Sequence, residues 1–326
     1  MSLFSELIEQ VKQHPQKIVF PEGNDARVVK AAVRLAEDQV VLPVILGDKA
    51  EITKIAEQEL PEQVEVIDPK KYPAASFDQM VSAFVERRKG KNTEDQARQM
   101  LQDVNYFGTM LVYLGKVAGL VSGAVHPTGD TVRPALQIIK TKPGISRTSG
   151  AFIMTRNDDQ ERYLFADCAI NIAPDAQQLA EIAVASAKTA RLFKIDPKVA
   201  LLSFSTKGSA KAAEAAKVAE ATKIAQQLAP EEAIDGELQF DAAFVPTVAK
   251  QKAPDSSIAG NANVFVFPEL QSGNIGYKIA QRLGGFSAVG PILQGLNQPV
   301  SDLSRGANED DVYKVAVITA LQATLK

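Results

Sequence analysis

The 326-residue sequence contains one cysteine and two histidines, and each scarcity argues against a class of protein. A single cysteine, Cys168, rules out an internal disulfide framework and fits a reducing compartment, so we expect a cytoplasmic protein. With so few cysteines and histidines, a zinc site is not expected. Counting carboxylates does not exclude a magnesium site.

Long apolar runs and an excess of basic residues are also missing. No uninterrupted apolar segment reaches the roughly 18 residues of a membrane helix. The acidic, amphipathic start of the chain does not have the pattern of a signal peptide. The formal net charge is −3, which argues against general nucleic-acid binding. We therefore expect neither a membrane nor a nucleic acid as a partner.

The hydrophobic pattern predicts an α/β protein, because short apolar runs alternate with longer helical patterns. Apolar strands of this kind are typical of mostly parallel sheets that are covered on both faces. Strands are predicted at 17–22, 40–46, 63–68, 117–123, 150–155, 163–167, 199–205 and 263–268. Helices are predicted at 25–38, 77–88, 94–114, 175–193, 209–228, 274–283 and 312–325.

The length predicts two domains, because single hydrophobic cores stop growing at roughly 250–300 residues. Residues that break secondary structure cluster at 140–150 and again at 290–299. We expect domain I to comprise 1–143 and 300–326, and domain II to comprise 144–299. The final helix would then return to domain I, and the segment before it would face an interdomain cleft, a common place for ligand sites.

That segment, residues 297–311, carries the most informative group of side chains. It places a hydroxyl (Ser304), a permanent cation (Arg305) and a carboxylate (Asp311) around one glycine-containing turn. Arginine binds oxyanions through two parallel hydrogen bonds, and a carboxylate can accept a proton. A structural alternative stays open, because Asn308 and Asp311 have the spacing of a helix-capping box.

A second candidate site follows the strand that ends at Gly123. The loop contains His126 and Thr128, and a helix that begins near Asp130 would carry Thr131 and Arg133. Ligands bind at such junctions in parallel sheets. A cation in the first turn opposes the helix dipole, which favours a functional role for Arg133. For His126, the pattern favours a hydrogen-bonded loop histidine over an acid–base group.

Three further positions are candidates with structural alternatives. Arg88 lies in a basic helix end that binds phosphate or simply complements the helix dipole. Ser205 and Lys207 lie in a strand–loop–helix junction that lacks the spacing of a nucleotide P-loop, and no dinucleotide fingerprint occurs. They hold a substrate anion or merely begin a helix. Cys168 has no basic neighbour in sequence, which favours a buried thiol over a nucleophile.

Together these segments resemble the phosphate acetyltransferase family in its short, single-unit form. The resemblance spans most of the chain and is far more specific than any short motif. Its matching stretches are 121–126, 130–140, 165–167, 187–189, 202–210, 235–243, 263–270, 273–283 and 302–306. It implies two α/β domains of the isocitrate/isopropylmalate dehydrogenase type and a homodimer formed through domain II. It also implies acetyl phosphate and coenzyme A as substrates, with no cofactor.

The resemblance also implies roles for residues. Ser304, Arg305 and Asp311 match the family's catalytic turn, and Arg133 and Arg88 match its substrate-binding arginines. Arg305 and Ser304 would hold the phosphate, and Asp311 would take the thiol proton before direct attack in a ternary complex. A helix N-terminus and a guanidinium weaken a carboxylate as a base, whereas desolvation strengthens it. The sequence leaves open whether the cations lower the pKa of the thiol instead.

Three rival functions remain at this stage. A phosphate butyryltransferase would share the fold and the chemistry. A metal-dependent decarboxylating dehydrogenase of the same fold would need a carboxylate cluster and a nucleotide site, and neither is identifiable. A non-catalytic module that senses acetyl phosphate or coenzyme A would not need the residues of the catalytic turn.

Overall fold

The computed structural model describes residues 3–324, and the chain divides into two compact units. Unit 1 comprises Met1–Lys142 and Leu296–Lys326, and unit 2 comprises Pro143–Gly295. The final helix therefore belongs to the same unit as the first strand. Leu325, the end of the predicted C-terminal helix, lies outside the described residues.

Unit 1 is built on a five-stranded sheet in the order β11-β4-β1-β2-β3, and every neighbouring pair is parallel. Its strands are β1 (Gln16–Phe20), β2 (Val41–Leu46), β3 (Glu65–Ile67), β4 (Gly119–Ser122) and β11 (Val300–Asp302). Its helices are α1 (Leu3–Lys12), α2 (Ala26–Glu37), α3 (Lys49–Ala56), α4 (Ala74–Arg87), α5 (Glu94–Met100), α6 (Val104–Tyr113), α7 (Thr128–Pro134) and α13 (Glu309–Thr324).

The core of unit 1 explains why its strands read as continuous apolar runs. Ile18, Val19 and Phe20 of β1 are all fully buried, since helices cover both faces of a parallel sheet. Helix α13 packs against α2 and against β4, and most of its residues are buried. The segment that precedes α13 is therefore anchored on a rigid element.

Unit 2 is built on a mixed six-stranded sheet in the order β10-β5-β6-β9-β7-β8. The pairs β10–β5 and β5–β6 are antiparallel, and the others are parallel. Its strands are β5 (Ser149–Arg156), β6 (Glu161–Ala166), β7 (Lys198–Leu202), β8 (Ala233–Leu238), β9 (Val264–Val266) and β10 (Ser287–Gln294). Its helices are α8 (Ala176–Leu192), α9 (Ala213–Leu228), α10 (Phe240–Phe244), α11 (Pro246–Lys252) and α12 (Leu270–Arg282).

Several predicted helices are wrong in their extent, among them the helix expected at 274–283, which begins earlier, at Leu270. The helix expected at 94–114 is divided, because the Asp103 side chain accepts hydrogen bonds from the amides of Asn105 (2.8 Å) and Tyr106 (3.1 Å) and so starts a new helix. The helix expected at 209–228 begins only at Ala213, because the Ser209 side chain is used to close the preceding turn on Thr206 N. None of the helices within residues 3–324 is long and apolar enough to cross a bilayer.

Candidate active site

The candidate site lies at the carboxyl ends of three neighbouring strands of unit 1. Strand β4 pairs with β1 on one side and with β11 on the other, so that Asp302 lies beside Ser122. The chain leaving β4 and the chain leaving β11 therefore run out side by side. Ligand sites of parallel sheets occupy this edge.

Ser304 and Arg305 are exposed in the turn that connects β11 to α13. The backbone of this turn is closed by the Ala307 amide, which donates to the Ser304 carbonyl (2.8 Å). The Gly306 amide donates to the Ser304 hydroxyl (3.2 Å). Within residues 3–324, the guanidinium of Arg305 forms neither an ion pair nor a hydrogen bond. The turn thus presents an uncompensated cation beside a hydroxyl.

Asp311 caps the helix that follows, as the structural alternative predicted. The Asp311 amide donates to the Asn308 side chain (2.9 Å), and the Asp311 carboxylate accepts from the Asn308 amide (3.0 Å). This is a capping box, and only one carboxylate oxygen is used in it. The cap and a chemical role are compatible, because a helix N-terminus is itself an anion site.

Arg27 holds the backbone of the turn through hydrogen bonds to its carbonyl oxygens. Its Nη1 donates to the carbonyl oxygens of Arg305 (2.9 Å) and Ala307 (2.7 Å), while its Nη2 donates to that of Ala124 (2.9 Å). Asp25 forms an ion pair with the same guanidinium (2.8 Å). The hydrogen bond and the charge of Asp25 raise the pKa of Arg27. A single cation therefore ties the turn to the loop after β4.

Glu22 organises that loop, and its side chain is fully buried. One carboxylate oxygen accepts from the amides of Gly123 (3.0 Å) and Ala124 (2.8 Å). The other accepts from the amides of Val125 (3.0 Å) and His126 (3.1 Å), and it lies 2.7 Å from His126 Nδ1. The prediction that His126 is a hydrogen-bonded loop histidine is confirmed.

Asp302 is a second buried carboxylate in this layer, and 1 % of the residue is exposed. Its Oδ2 accepts a hydrogen bond from the Thr128 hydroxyl (2.7 Å). Burial raises the pKa of Asp302 to about 6, partly offset by the Thr128 hydrogen bond. A side chain at Gly123 would meet Asp302 Oδ1 at 2.4 Å, and the φ of Gly123 is +113°, so this position requires glycine.

Helix α7 begins earlier than the sequence predicts, which changes the position of Arg133 within it. It begins at Thr128 rather than near Asp130, so Arg133 lies in its last turn and not its first. The helix continues directly as a π-helical segment, Ala135–Ile139. Arg133 therefore does not oppose a helix dipole, and its candidacy now depends on its exposure. Thr131 is fully buried and is not presented at the surface of unit 1.

Arg88 and Arg133 share one surface of unit 1. Burial of its ring raises the pKa of Tyr106, and the nearby cations of Arg133 and Arg88 act in the opposite direction. Neighbouring Arg87 has a structural task, because it donates to the carbonyl oxygens of Ile138 (2.5 Å) and Ile139 (2.8 Å). Within residues 3–324 the Arg88 guanidinium donates only to the Asn92 side chain (3.0 Å). Arg88, rather than Arg87, therefore has N–H groups that can bind a ligand.

A single positive region surrounds Arg88. Burial lowers the pKa of Lys140, and the cations of Arg87, Lys89, Arg88 and Lys91 lower it further. These side chains therefore concentrate positive charge around the C-terminal end of α4. Such a cluster suits a ligand that carries several phosphate charges.

The candidates in unit 2 are already engaged with acidic neighbours. The Ser205 hydroxyl is buried and donates to Glu237 (2.8 Å), and Lys207 forms an ion pair with Asp235. We therefore leave Ser205 and Lys207, together with the buried Thr131, out of the proposed site. Cys168 is fully buried, and burial raises its pKa well above the ordinary value, which suits an inert thiol.

The family model "Phosphate acetyl/butaryl transferase" matches residues 2–320. The chain belongs to this family. A phosphate acetyltransferase of Bacillus subtilis is 62 % identical over 98 % of this chain and 99 % of its own length. A solved phosphotransacetylase from Streptococcus pyogenes is 61 % identical, with a TM-score of 0.96 over 99 % of this chain and 98 % of that one.

Structural similarity extends to a dehydrogenase-like fold. A Salmonella typhimurium protein described as a 4-hydroxythreonine-4-phosphate dehydrogenase covers 95 % of this chain with a TM-score of 0.54 at 14 % identity, over 99 % of its own length. At that identity the similarity concerns the fold alone. The predicted fold class is confirmed, and the chain is an acyltransferase of the family above.

Sequence reasoning missed the layer beneath the turn: Glu22, Arg27 and Asp302. One signal was present, because Phe20-Pro-Glu22 ends an apolar strand and so places a carboxylate at the ligand-binding edge of the sheet. The same tripeptide directly follows β9, where Glu269 instead caps α12 through the amides of Gln271 and Ser272 (2.8 Å each). Only the pairing of β1 with β4 distinguishes the two glutamates.

Proposed function

We propose that this chain catalyses the reversible transfer of an acetyl group between acetyl phosphate and coenzyme A. One observation carries the proposal: the exposed turn before α13 presents the Ser304 hydroxyl and the Arg305 guanidinium, which has no ionic partner within residues 3–324, and the Asp311 carboxylate follows in the first turn of α13. Family membership supplies the chemistry that such a turn performs. No cofactor is required, since coenzyme A is itself a substrate.

Arg305 and Ser304 bind the phosphate of acetyl phosphate. A guanidinium forms two parallel hydrogen bonds to a phosphate and stabilises the negative charge that develops on it during transfer. Because Arg27 holds the carbonyl oxygens of Arg305 and Ala307, the turn needs little reorganisation when the phosphate binds. Such preorganised donors are the largest single source of catalysis in many enzymes.

Asp311 accepts the proton of the coenzyme A thiol. The thiolate then attacks the carbonyl carbon directly, with both substrates bound and without an acyl-enzyme. Holding the two substrates together contributes much of the remaining rate. The deeply buried Cys168 supports a direct route, because a fully buried thiol with a raised pKa is a poor nucleophile.

Coenzyme A binds through its phosphates to Arg88 and Arg133. Within residues 3–324 Arg88 forms no ion pair, and Arg133 forms one long, exposed ion pair with Asp130 (3.7 Å). Thr128 lies at the start of α7, where its hydroxyl is directed to Asp302 and its amide is at a helix N-terminus. We assign Thr128 to holding the loop and the two arginines to binding the anion.

The chain forms a homodimer through unit 2. Helix α12 exposes Ile275 (56 %) and Ile279 (53 %), and Leu283 directly after it is 85 % exposed. Their spacing of four residues places them in one apolar stripe, which is costly to leave in water. Ile279→Asp should convert a dimer to a monomer in light scattering, whereas a wild-type monomer at micromolar concentration contradicts this assignment.

A cytoplasmic location is part of the proposal. Its support is the single cysteine, which remains reduced and buried.

One assay tests the proposed reaction. Thioester absorbance is followed with acetyl phosphate or butyryl phosphate and coenzyme A, without added metal or nicotinamide. We expect turnover with acetyl phosphate and weaker turnover with butyryl phosphate. A preference for butyryl phosphate assigns the chain to the other acyl group of its family. Binding without turnover indicates a sensor module.

A further inference from the structure

The proposed reaction requires two proton transfers, and Asp311 performs only one of them. Attack by the thiolate breaks the bond between the carbonyl carbon and the bridging oxygen, and both electrons stay on that oxygen. An acetyl phosphate dianion would then release a phosphate trianion, which is a strong base and a poor leaving group. An acid that protonates the oxygen as the bond breaks contributes roughly a hundredfold to ten-thousandfold.

His126 has the geometry of such an acid. An ionised carboxylate can only accept hydrogen bonds, so the contact of 2.7 Å with Glu22 places a proton on Nδ1. The opposite nitrogen, Nε2, has no hydrogen bond to any described residue of the chain. Of the side chain, 28 % is exposed, so a ligand can reach this nitrogen. The buried carboxylate of Glu22 fixes the orientation of the ring through this contact.

The loop that carries His126 is bound to the phosphate-binding turn at three points. The Leu303 amide donates to the Ser122 carbonyl (2.7 Å), and Thr128 donates to Asp302 (2.7 Å). Arg27 bridges the carbonyl oxygens of Ala124 and Arg305 with one guanidinium. The loop is therefore tied to the turn on both sides of His126, at Ala124 and at Thr128, and Glu22 is the charged group in contact with the His126 ring.

We propose that His126 protonates the bridging oxygen of the departing phosphate and that Glu22 is its positioning residue. This inference rests on the proposed function. The thiol proton passes to Asp311, the new carbon–sulfur bond forms, and the carbon–oxygen bond breaks. His126 Nε2 gives its proton to that oxygen, so the product leaves as hydrogen phosphate. Exchange with water then returns both residues to their starting protonation states. In the reverse direction, neutral His126 takes the proton of the attacking phosphate.

The test compares two acyl donors in His126→Asn, whose amide keeps a donor directed at Glu22. Acetyl phosphate needs the acid, but acetyl methyl phosphate releases methyl phosphate, a weak base that leaves without protonation. With acetyl phosphate, we expect kcat to fall about a hundredfold, with little change in the KM for coenzyme A. With acetyl methyl phosphate, we expect a fall of less than about tenfold relative to wild type.

His14→Asn is the matched control, because His14 is the other histidine and lies outside the site. Its kcat should equal that of wild type with both donors. An equal loss for both donors in His126→Asn, or a kcat near that of wild type, overturns the proposal. If the wild type does not accept acetyl methyl phosphate, His126→Ala with added imidazole decides: restored kcat supports the acid, and no restoration contradicts it.

Failure of this inference is distinguishable from failure of the proposed function. A wild-type protein that forms no thioester from acetyl phosphate contradicts the proposed function itself. A preference of the wild type for butyryl phosphate corrects only the acyl group, and the same comparison then uses butyryl phosphate and butyryl methyl phosphate. An active wild type with an unaffected His126→Asn contradicts only the role of His126.

Discussion

Two strand–loop–helix junctions, one in each unit, look alike in sequence but differ in how their charges are compensated. In unit 2, the loop after β7 carries Lys207, which is paired with Asp235, and Ser205, which is bonded to Glu237. In unit 1, the buried carboxylate of Glu22 binds backbone amides. The cation of Arg305 on the neighbouring turn has no ionic partner among residues 3–324. A substrate anion therefore binds most favourably beside a cation that is not already paired with a carboxylate of the protein.

We expect the largest effect at Arg305, and its loss tests the difference between the two junctions directly. Arg305→Ala should reduce kcat/KM for acetyl phosphate by about a thousandfold, because it removes the donors to the developing charge. The loss should persist at saturating substrate. Lys207→Ala is the control, and it should change kcat/KM by less than about threefold, since its cation is already neutralised. Equal losses in both variants would show that the two junctions do not differ in function.

Asp311→Asn should come next. Loss of the proton acceptor should reduce kcat by about a hundredfold, with the affinity for coenzyme A nearly unchanged in calorimetry. Asn308→Ala removes the other half of the capping box at a cost of about 1 kcal/mol and should keep kcat. Near-normal turnover in Asp311→Asn would reduce Asp311 to a helix cap.

Glu22→Gln and Glu237→Gln compare the buried glutamate of the unit 1 junction with that of the unit 2 junction. The new amide group would face backbone N–H groups of the 123–126 loop, and we expect a loss of about 4 kcal/mol in the free energy of unfolding. Glu237→Gln should destabilise unit 2 but leave the kcat intact. Urea denaturation and steady-state kinetics on both variants measure the two effects. A kcat loss in Glu237→Gln equal to that in Glu22→Gln would contradict the assignment of the site to unit 1.

Asp302 gives a pH-dependent prediction. Because its folded pKa of about 6 lies above the ordinary value of 3.8, the folded protein binds more protons than the unfolded chain between these values. Asp302 therefore lowers the free energy of unfolding as pH rises from about 4 to about 6, by up to about 3 kcal/mol. Asp302→Asn should lack this term, so its stability relative to wild type should rise over that range and then stay level. If the free energies of unfolding of the two proteins, measured by urea denaturation, change with pH in parallel, Asp302 does not ionise in the folded protein over this range.

The smallest effect is expected at Cys168. Cys168→Ala removes one buried sulfur from the core of unit 2, at a cost of about 1 kcal/mol, and should keep full activity. Loss of activity, together with an acetylated wild-type enzyme in mass spectrometry, would favour a covalent route instead.

Local signals in the sequence were sufficient for most elements and for the exposed part of the site. The capping box of α13 was predictable because Asn308 and Asp311 contact each other within one turn. The break between α5 and α6 was missed, because the apolar period continues through Asp103 although its side chain caps a new helix. The exposed turn was found because Ser304, Arg305 and Asp311 are close in the chain.

The layer beneath the turn could not be predicted in the same way. Glu22 contacts residues about 100 positions later, and Arg27 contacts residues about 280 positions later. Such contacts depend on the strand order β11-β4-β1, which local patterns do not specify. The alternation of strands and helices, the family and the grouping of Ser304, Arg305 and Asp311 follow from the amino-acid order alone, because they depend on neighbours in the chain. Tertiary structure alone decided which charges stay uncompensated, because a charge is neutralised by whatever the fold places within a few ångströms of it.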